Sequence, residues 1–271
     1  MFKRQRRDAN PMTPEEYHQR ALEVIRTHLP AEHFEATDDL LVFANGKVTL
    51  GLHNLYSIYI RDRLSPSERD DAIRERATTV VRESAVSSEL MDLPWTEVQK
   101  MLRPQLMPSH FSQLLPVVTV PFDDDVSIGI VVDSDSSYAY VPDAVRQQWG
   151  LSHAALLAAA VENLDVASAG IELRLSEEPE RVLTIEMDDG YDAARILIPG
   201  IRAIAVEHLG EPCYAAVPTR DFLIFWSTGN DSASQASIRD EIRHYFETQP
   251  YALTSSVFSV TRDSVIPSED A

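Results

Sequence analysis

Apolar and polar positions in this chain follow two different periods, and the switch between them outlines the elements. Tyr17, Ala21, Val24 and Ile25 recur at three-and-four spacing, the pattern of a helix with one buried face. Thr13-Pro14-Glu15-Glu16 opens that helix as a capping box, in which the hydroxyl and the second carboxylate satisfy otherwise orphaned amides and Pro takes the first helical position. Ser65-Pro66-Ser67-Glu68 repeats the device ahead of Ile73, Ala77, Val80 and Val81, predicting a helix through about Ser84. Between the two, apolar runs at 40–43 and 48–52 flank Asn45-Gly46, a pair that tolerates positive φ and predicts an antiparallel hairpin. Residues 1–92 therefore read as a small helix, hairpin, helix unit.

Leu93-Pro94-Trp95 begins a stretch ending in Leu115-Pro116 and interrupted by Pro104 and Pro108. It predicts a connector over 93–116 carrying one short helix near 97–102. From 117 to 271 the period shortens to two in paired runs: 126–132 with 137–141, 170–175 with 181–187, and 214–217 with 222–226, each a strand pair. Helices are predicted after them at about 153–164, 191–209 and 233–247, with Pro199-Gly200 bending the second. Recurring strand, strand, helix units favour antiparallel pairing, because parallel strands each need a long crossover. The predicted class is α+β, with antiparallel sheets and helices on one face.

At 271 residues and 44% hydrophobic content the chain can bury a substantial core. No run approaches the ~18 apolar residues of a membrane span, and Lys3-Arg4-Gln5-Arg6-Arg7 leads into Asp8, Asn10 and Pro11 rather than an apolar signal region. Cys213 is the sole cysteine, which rules out an intrachain disulfide and a cysteine-based zinc site within one chain. These features predict a cytoplasmic protein with no membrane association. A formal net charge of -19 opposes a nucleic-acid surface, which needs clustered Lys and Arg; the basic start is read as a solvated tail.

Leu52-His53-Asn54-Leu55-Tyr56, Tyr140-Val141, Trp149-Gly150-Leu151-Ser152, Ala160-Val161-Glu162-Asn163-Leu164, Asp189-Gly190-Tyr191-Asp192-Ala193 and Pro218-Thr219-Arg220-Asp221 together resemble, in order and spacing, the YtpQ family of bacterial proteins. The resemblance covers nearly the whole chain, from about Tyr17 to Phe258. It implies a bacterial cytosolic origin and a shared scaffold. That family is of unknown function, so the resemblance implies no activity. The basic start and the acidic end Ser268-Glu269-Asp270 depart from it.

Chemistry-bearing residues gather at the ends of predicted elements. Asp188, Asp189 and Asp192 lie where a strand gives way to a helix; closely spaced carboxylates bind hard cations or share acid and base roles, while helix capping is the simpler account. Tyr191 and Arg195 are four apart and are expected to share a helix face, and Arg220-Asp221 occupies a tight turn. If that turn meets the start of the Tyr191 helix, a pocket of guanidinium, phenol and carboxylate results, suited to an anion or an acidic peptide group; a local Arg220–Asp221 ion pair is the plainer alternative. Asp133-Ser134-Asp135-Ser136-Ser137 starts like a calcium loop but has Tyr138 where Gly is required and Ala144 where Glu is required, so a hairpin turn is preferred. Asp123-Asp124-Asp125 reads as a solvated turn and Cys213 as strand packing.

The eight histidines form no His-Glu-x-x-His pair, and nucleophile elbow, phosphate loop and dinucleotide motifs are all missing. No catalytic residue and no cofactor are assigned. The leading expectation is a binding or adaptor module for a protein or small acidic ligand, centred on Asp189, Tyr191, Arg195, Arg220 and Asp221. The alternative is a metal-assisted hydrolase with Asp188, Asp189 and Asp192 as ligands or base, and a third is a self-associating structural protein.

Overall fold

A computed structural model describes residues 11–45, 48–114, 117–134, 137–176, 180–187 and 189–268. The chain forms two compact units, Met1–Glu89 with Thr248–Pro250, and Leu90–Glu247 with Tyr251–Ala271.

The first unit contains α1 (Pro14–His28), the strands β1 (Glu35–Ala36), β2 (Val42–Ala44) and β3 (Thr49–Gly51), α2 (His53–Asp62) and α3 (Pro66–Met91). The expected capping box closes α1: the Glu16 amide donates to Thr13 Oγ1 at 3.3 Å and the Thr13 amide to Glu16 Oε2 at 2.9 Å, worth roughly 1 kcal/mol. All four predicted residues of α1 are buried, packing with Phe43 and Leu50 of the hairpin, Tyr59 of α2, and Ile73 and Ala77 of α3. The hairpin pairs as expected, with Phe43 opposite Leu50. Its Asn45 side chain accepts from the Val48 amide at 2.9 Å, while Gly46 lies outside the described residues.

Two readings of this unit need correction. Besides the hairpin it holds β1, pairing with β2, and the helix α2. The latter starts at His53 with Leu52 at its N-cap and no side-chain cap, so no capping residue marks it in the sequence. The second predicted helix also continues past Ser84 to Met91, since no Pro or Gly interrupts it before Pro94.

The second unit opens with α4 (Trp95–Val98) and a three-ten turn (Gln99–Met101), followed by β4 (Leu102–Pro108), α5 (Ser109–Leu114), β5 (Thr119–Pro121), β6 (Val126–Ser134), β7 (Ser137–Tyr140), α6 (Asp143–Gln148) and α7 (His153–Ala167). β4 and β6 pair antiparallel from Leu102 opposite Val132 to Pro108 opposite Val126, and β5 and β7 both pair with β6. The stretch 93–116 is therefore more than a connector, because it supplies a strand. Pro104 and Pro108 do not prevent this: among the described residues β4 bonds to β6 alone, and an edge strand tolerates a residue without an amide proton.

The remainder comprises β8 (Arg174–Ser176), β9 (Val182–Ile185), a three-ten segment (Ala193–Leu197), α8 (Pro199–Leu209), β10 (Cys213–Thr219), β11 (Phe222–Ser227), α9 (Ser232–Thr248), β12 (Phe258–Val260) and β13 (Val265–Pro267). The sheet order is β13-β12-β10-β11-β9-β8, antiparallel throughout. The α+β class and all three predicted strand pairs are present. Leu183, Ile185, Leu223, Phe225 and Phe258 share one core with Leu106 and Ile128 of the four-stranded sheet, with Ala194 and Ile196, and with Ile201 and Ala205 of α8. Ile238 and Ile242 of α9 cover Ala216, Ile224 and Trp226.

The single helix expected over 191–209 is not formed. Ile198 is extended, with φ −79° and ψ 119°, and Pro199 begins α8 instead of bending a longer helix. Proline disfavours helical geometry in the residue before it and suits a first helical position.

Candidate functional site

β9 ends at Ile185, and the chain then turns through Gly190, whose φ of +83° falls in a region that glycine enters without strain. The next residues plunge into the core: Tyr191, Asp192, Ala193, Ala194, Arg195, Ile196 and Ile198 are all buried. A three-ten segment leaves backbone and side-chain polar groups that water cannot reach, and here one guanidinium organises them. Arg195, 1% exposed, donates to Asp189 through Nη1 at 2.9 Å and Nη2 at 2.5 Å, to Asp192 Oδ1 at 2.7 Å, and through Nε to Ser168 Oγ at 3.0 Å.

The two carboxylates also hold the backbone. Asp189 Oδ1 accepts from the Tyr191 amide at 3.0 Å, and Asp192 Oδ2 accepts from the Met187 amide at 2.8 Å. Asp189 does not cap a helix as expected, since none begins at Tyr191; its bond to the Tyr191 amide closes a local turn, and both carboxylates neutralise Arg195. Burial alone would raise the Asp189 carboxyl; hydrogen bonds from Arg195 and the Tyr191 amide outweigh it and hold the group below the usual carboxylate range. Asp189 and Asp192 of the metal alternative already have these partners, and no cluster of three or more ligating side chains occurs among the described residues. Asp188 lies outside them.

Arg220-Asp221 is the two-residue turn between β10 and β11, and a register shift between Ala216 and Thr219 accompanies it, the mark of a bulge that re-aims the turn. The Arg220 carbonyl accepts from the Ala193 amide at 3.0 Å. The expected meeting of this turn with the segment after Gly190 therefore occurs. A Cβ on Gly190 would lie 3.7 Å from Arg220 Nε, so the guanidinium rests against the glycine. Arg220 pairs with Asp221 through Nε at 2.8 Å and Nη2 at 3.0 Å, and its Cζ lies 3.5 Å from the centre of the Tyr251 ring, a cation–π contact. The Arg220 amide donates to the Tyr251 carbonyl at 2.9 Å.

The expected open pocket is the part that fails. Tyr191 precedes the three-ten segment and is buried with Arg195, so neither lines a cleft and they do not share an exposed helix face. The physical reason is the uninterrupted apolar packing of Ala193, Ala194 and Ile196, which draws the whole segment inward. What faces solvent is a rim: Met187 at 43% and Tyr251 at 36% exposure, with the outer side of Asp189 and part of Asp221.

Behind the rim, Gln105 of β4 is buried; its Nε2 donates to the Gly190 carbonyl at 3.4 Å, and Tyr140 Oη donates to its Oε1 at 2.6 Å. The sequence assigns no site role to Gln105, Ser168 or Tyr251, and Tyr140 enters it only within the pieces that carry the family resemblance. A glutamine inside an apolar strand was the one available signal, since a buried amide requires partners.

The other candidates have local roles. Asp123 Oδ1 accepts from the amides of Asp125 and Val126 at 3.0 and 2.6 Å, an ordinary turn. The calcium-like stretch spans the β6–β7 hairpin, with Asp135 and Ser136 outside the described residues. Cys213 is buried, and burial pushes its thiol up to about 12, which removes it as a nucleophile at neutral pH. In the first unit a shallow groove is lined by His28, Asp71, Arg74, Thr78 and Arg82, where Arg74 pairs with Asp71 and His28 bonds Thr78. Lys3, Arg4, Arg6, Arg7, Glu269 and Asp270 lie outside the described residues.

No described helix is long and apolar enough to cross a membrane. No family model, curated protein or solved structure matches the chain.

Proposed function

We propose that this chain is a bacterial cytosolic binding or adaptor module, without chemistry of its own, that engages a protein partner at the rim formed by Met187, Asp189, Arg220, Asp221 and Tyr251. The resemblance to the YtpQ family belongs to the same proposal. One observation carries it: both guanidiniums of the candidate site are already held by internal carboxylates, Arg195 by Asp189 and Asp192 and Arg220 by Asp221. A small acidic ligand would have to displace one of them, at the cost of breaking a charge-assisted pair. A protein surface needs no such exchange. It can cover Met187 and the Tyr251 ring, side chains of the kinds that interfaces favour, and meet a polar edge whose geometry is fixed in advance.

A photo-crosslinking residue at Met187 tests this in cells, with the same residue at exposed Val166 as control. The expected result is a discrete adduct from position 187 that Arg220→Ala abolishes, and none from 166. No adduct from 187, or the same adduct from both, contradicts the proposal. Thermal stabilisation by dicarboxylates that Arg220→Ala removes would replace the protein partner with a small acid.

A further inference from the structure

We infer that Gln105 and Tyr140, from the four-stranded sheet, are positioning residues for this rim: they act through the Gly190 carbonyl to set where the Gly190 corner, and the Arg220 guanidinium lying against it, stand. The inference rests on the binding proposal only in calling the rim a site.

The polarity of the relay follows from the groups themselves. A backbone carbonyl can only accept, so the side chain of Gln105 must turn its Nε2 toward Gly190. Its Oε1 then faces away and needs a donor, which the Tyr140 hydroxyl supplies at 2.6 Å. Tyr140 thereby locks the orientation of the amide. Neither half is interchangeable: reversing the amide would set its oxygen against the Gly190 carbonyl and its NH2 against a hydroxyl that must then accept.

The sheet makes room for this arrangement. A Cβ on Gly129 would lie 2.6 Å from the Tyr140 ring and 2.9 Å from the Met107 sulfur, closer than atoms approach without something shifting. Gly129 of β6 therefore lets the ring approach the strand closely while its hydroxyl reaches Gln105, which is 3% exposed. On the far side, Gly190 presents its own vacant Cβ position to Arg220. Two glycines thus bracket the path, one where an aromatic ring crosses a strand and one where a guanidinium meets a turn.

Hydrogen–deuterium exchange of the full chain tests the relay without a partner. The reporters are the amides of Tyr191 and Ala193, bonded to Asp189 Oδ1 and to the Arg220 carbonyl, against the β11 amides as reference. Tyr140→Phe and Gln105→Leu should each speed exchange at the reporters by about three- to tenfold, the range set by one net hydrogen bond. The double variant should add little beyond Gln105→Leu, because the second change acts through a link already cut. The β11 reference should stay at its wild-type rate. Unchanged reporters, multiplying effects in the double variant, or an equal rise in β11 would each overturn the inference. Failure of the otherwise unaltered chain to crosslink at Met187, with the expected faster exchange in the variants, would instead count against the binding proposal alone.

Discussion

Each unit buries an arginine, and the two solve the resulting problem in opposite ways. Arg69 of the first unit, 4% exposed, bonds Asp70 Oδ1 through Nε at 2.9 Å and Nη2 at 2.8 Å, and Asp70 in turn accepts from Arg20 at 2.5 Å. There two guanidiniums share one carboxylate. In the second unit Arg195 is shared by two carboxylates, Asp189 and Asp192. In both, the member that leaves the cluster charged is the one at the surface: Arg20 is 35% exposed and Asp189 42%. Burying a charge without its counter-ion is costly, so each unit pairs what lies inside and leaves the excess to water.

The backbones being held also differ. Arg20 lies on α1 and Asp70 on α3, so the first cluster joins two regular helices whose amides are already satisfied. The second holds an irregular segment whose amides, at Tyr191 and Met187, bond to the same carboxylates that neutralise the arginine. Removing a charge there strips backbone as well as side-chain partners.

The largest expected difference is therefore between Arg195→Met and Arg69→Met. The first leaves Asp192 buried without its cation and should cost about 3–5 kcal/mol; the second removes hydrogen bonds to Asp70 but leaves it paired with Arg20, and should cost less, about 1–2 kcal/mol. All three tryptophans, Trp95, Trp149 and Trp226, lie in the second unit. Urea unfolding followed by tryptophan fluorescence should thus shift strongly for Arg195→Met and little for Arg69→Met, whose effect belongs in the circular-dichroism transition of the first unit. Equal fluorescence shifts would break the comparison.

A smaller difference is expected with pH. Burial pushes Asp189 up, but its bonds to Arg195 and Tyr191 prevail and leave it below the usual carboxylate range. A carboxylate lowered on folding stabilises above its unfolded value, near 3.9, and that stability is lost as pH falls through the lower folded value. Asp189→Asn should cost about 1 kcal/mol at pH 7, as befits a half-exposed pair, and the gap from wild type should close below about pH 4. A gap independent of pH would mean that Asp189 acts by shape, not charge.

Legibility in the sequence follows local marks in both units. The helices α1 and α3 are readable because Thr13 and Ser65 announce them and Tyr17, Ala21, Val24 and Ile25 keep one period. The β10–β11 turn was readable from two apolar runs separated by Arg220-Asp221. The helix α2 was not, lacking a capping side chain, and β4 was hidden because its prolines resemble breaks until its edge position is known. Within the site, the approach of Arg220 to the Gly190 segment was foreseen. The burial of Tyr191 and Arg195 was not, because a tyrosine and an arginine four apart look alike in an exposed helix and in a buried three-ten segment, and only the surrounding layers decide. Ser168 and Tyr251 come from distant stretches with no local mark, and Gln105 is marked only by its place in an apolar run.

The central claim is that the segment after Gly190 is held by charge pairing inside the second unit, with the rim as its outer edge. A double-mutant cycle on Arg195→Met and Asp192→Asn, read by tryptophan fluorescence in urea, tests it most directly. The account predicts that the double variant is less destabilised than the sum of the singles by about 2 kcal/mol or more, since removing both charges leaves neither stranded. Additive losses would show that the two residues act independently, and would contradict it.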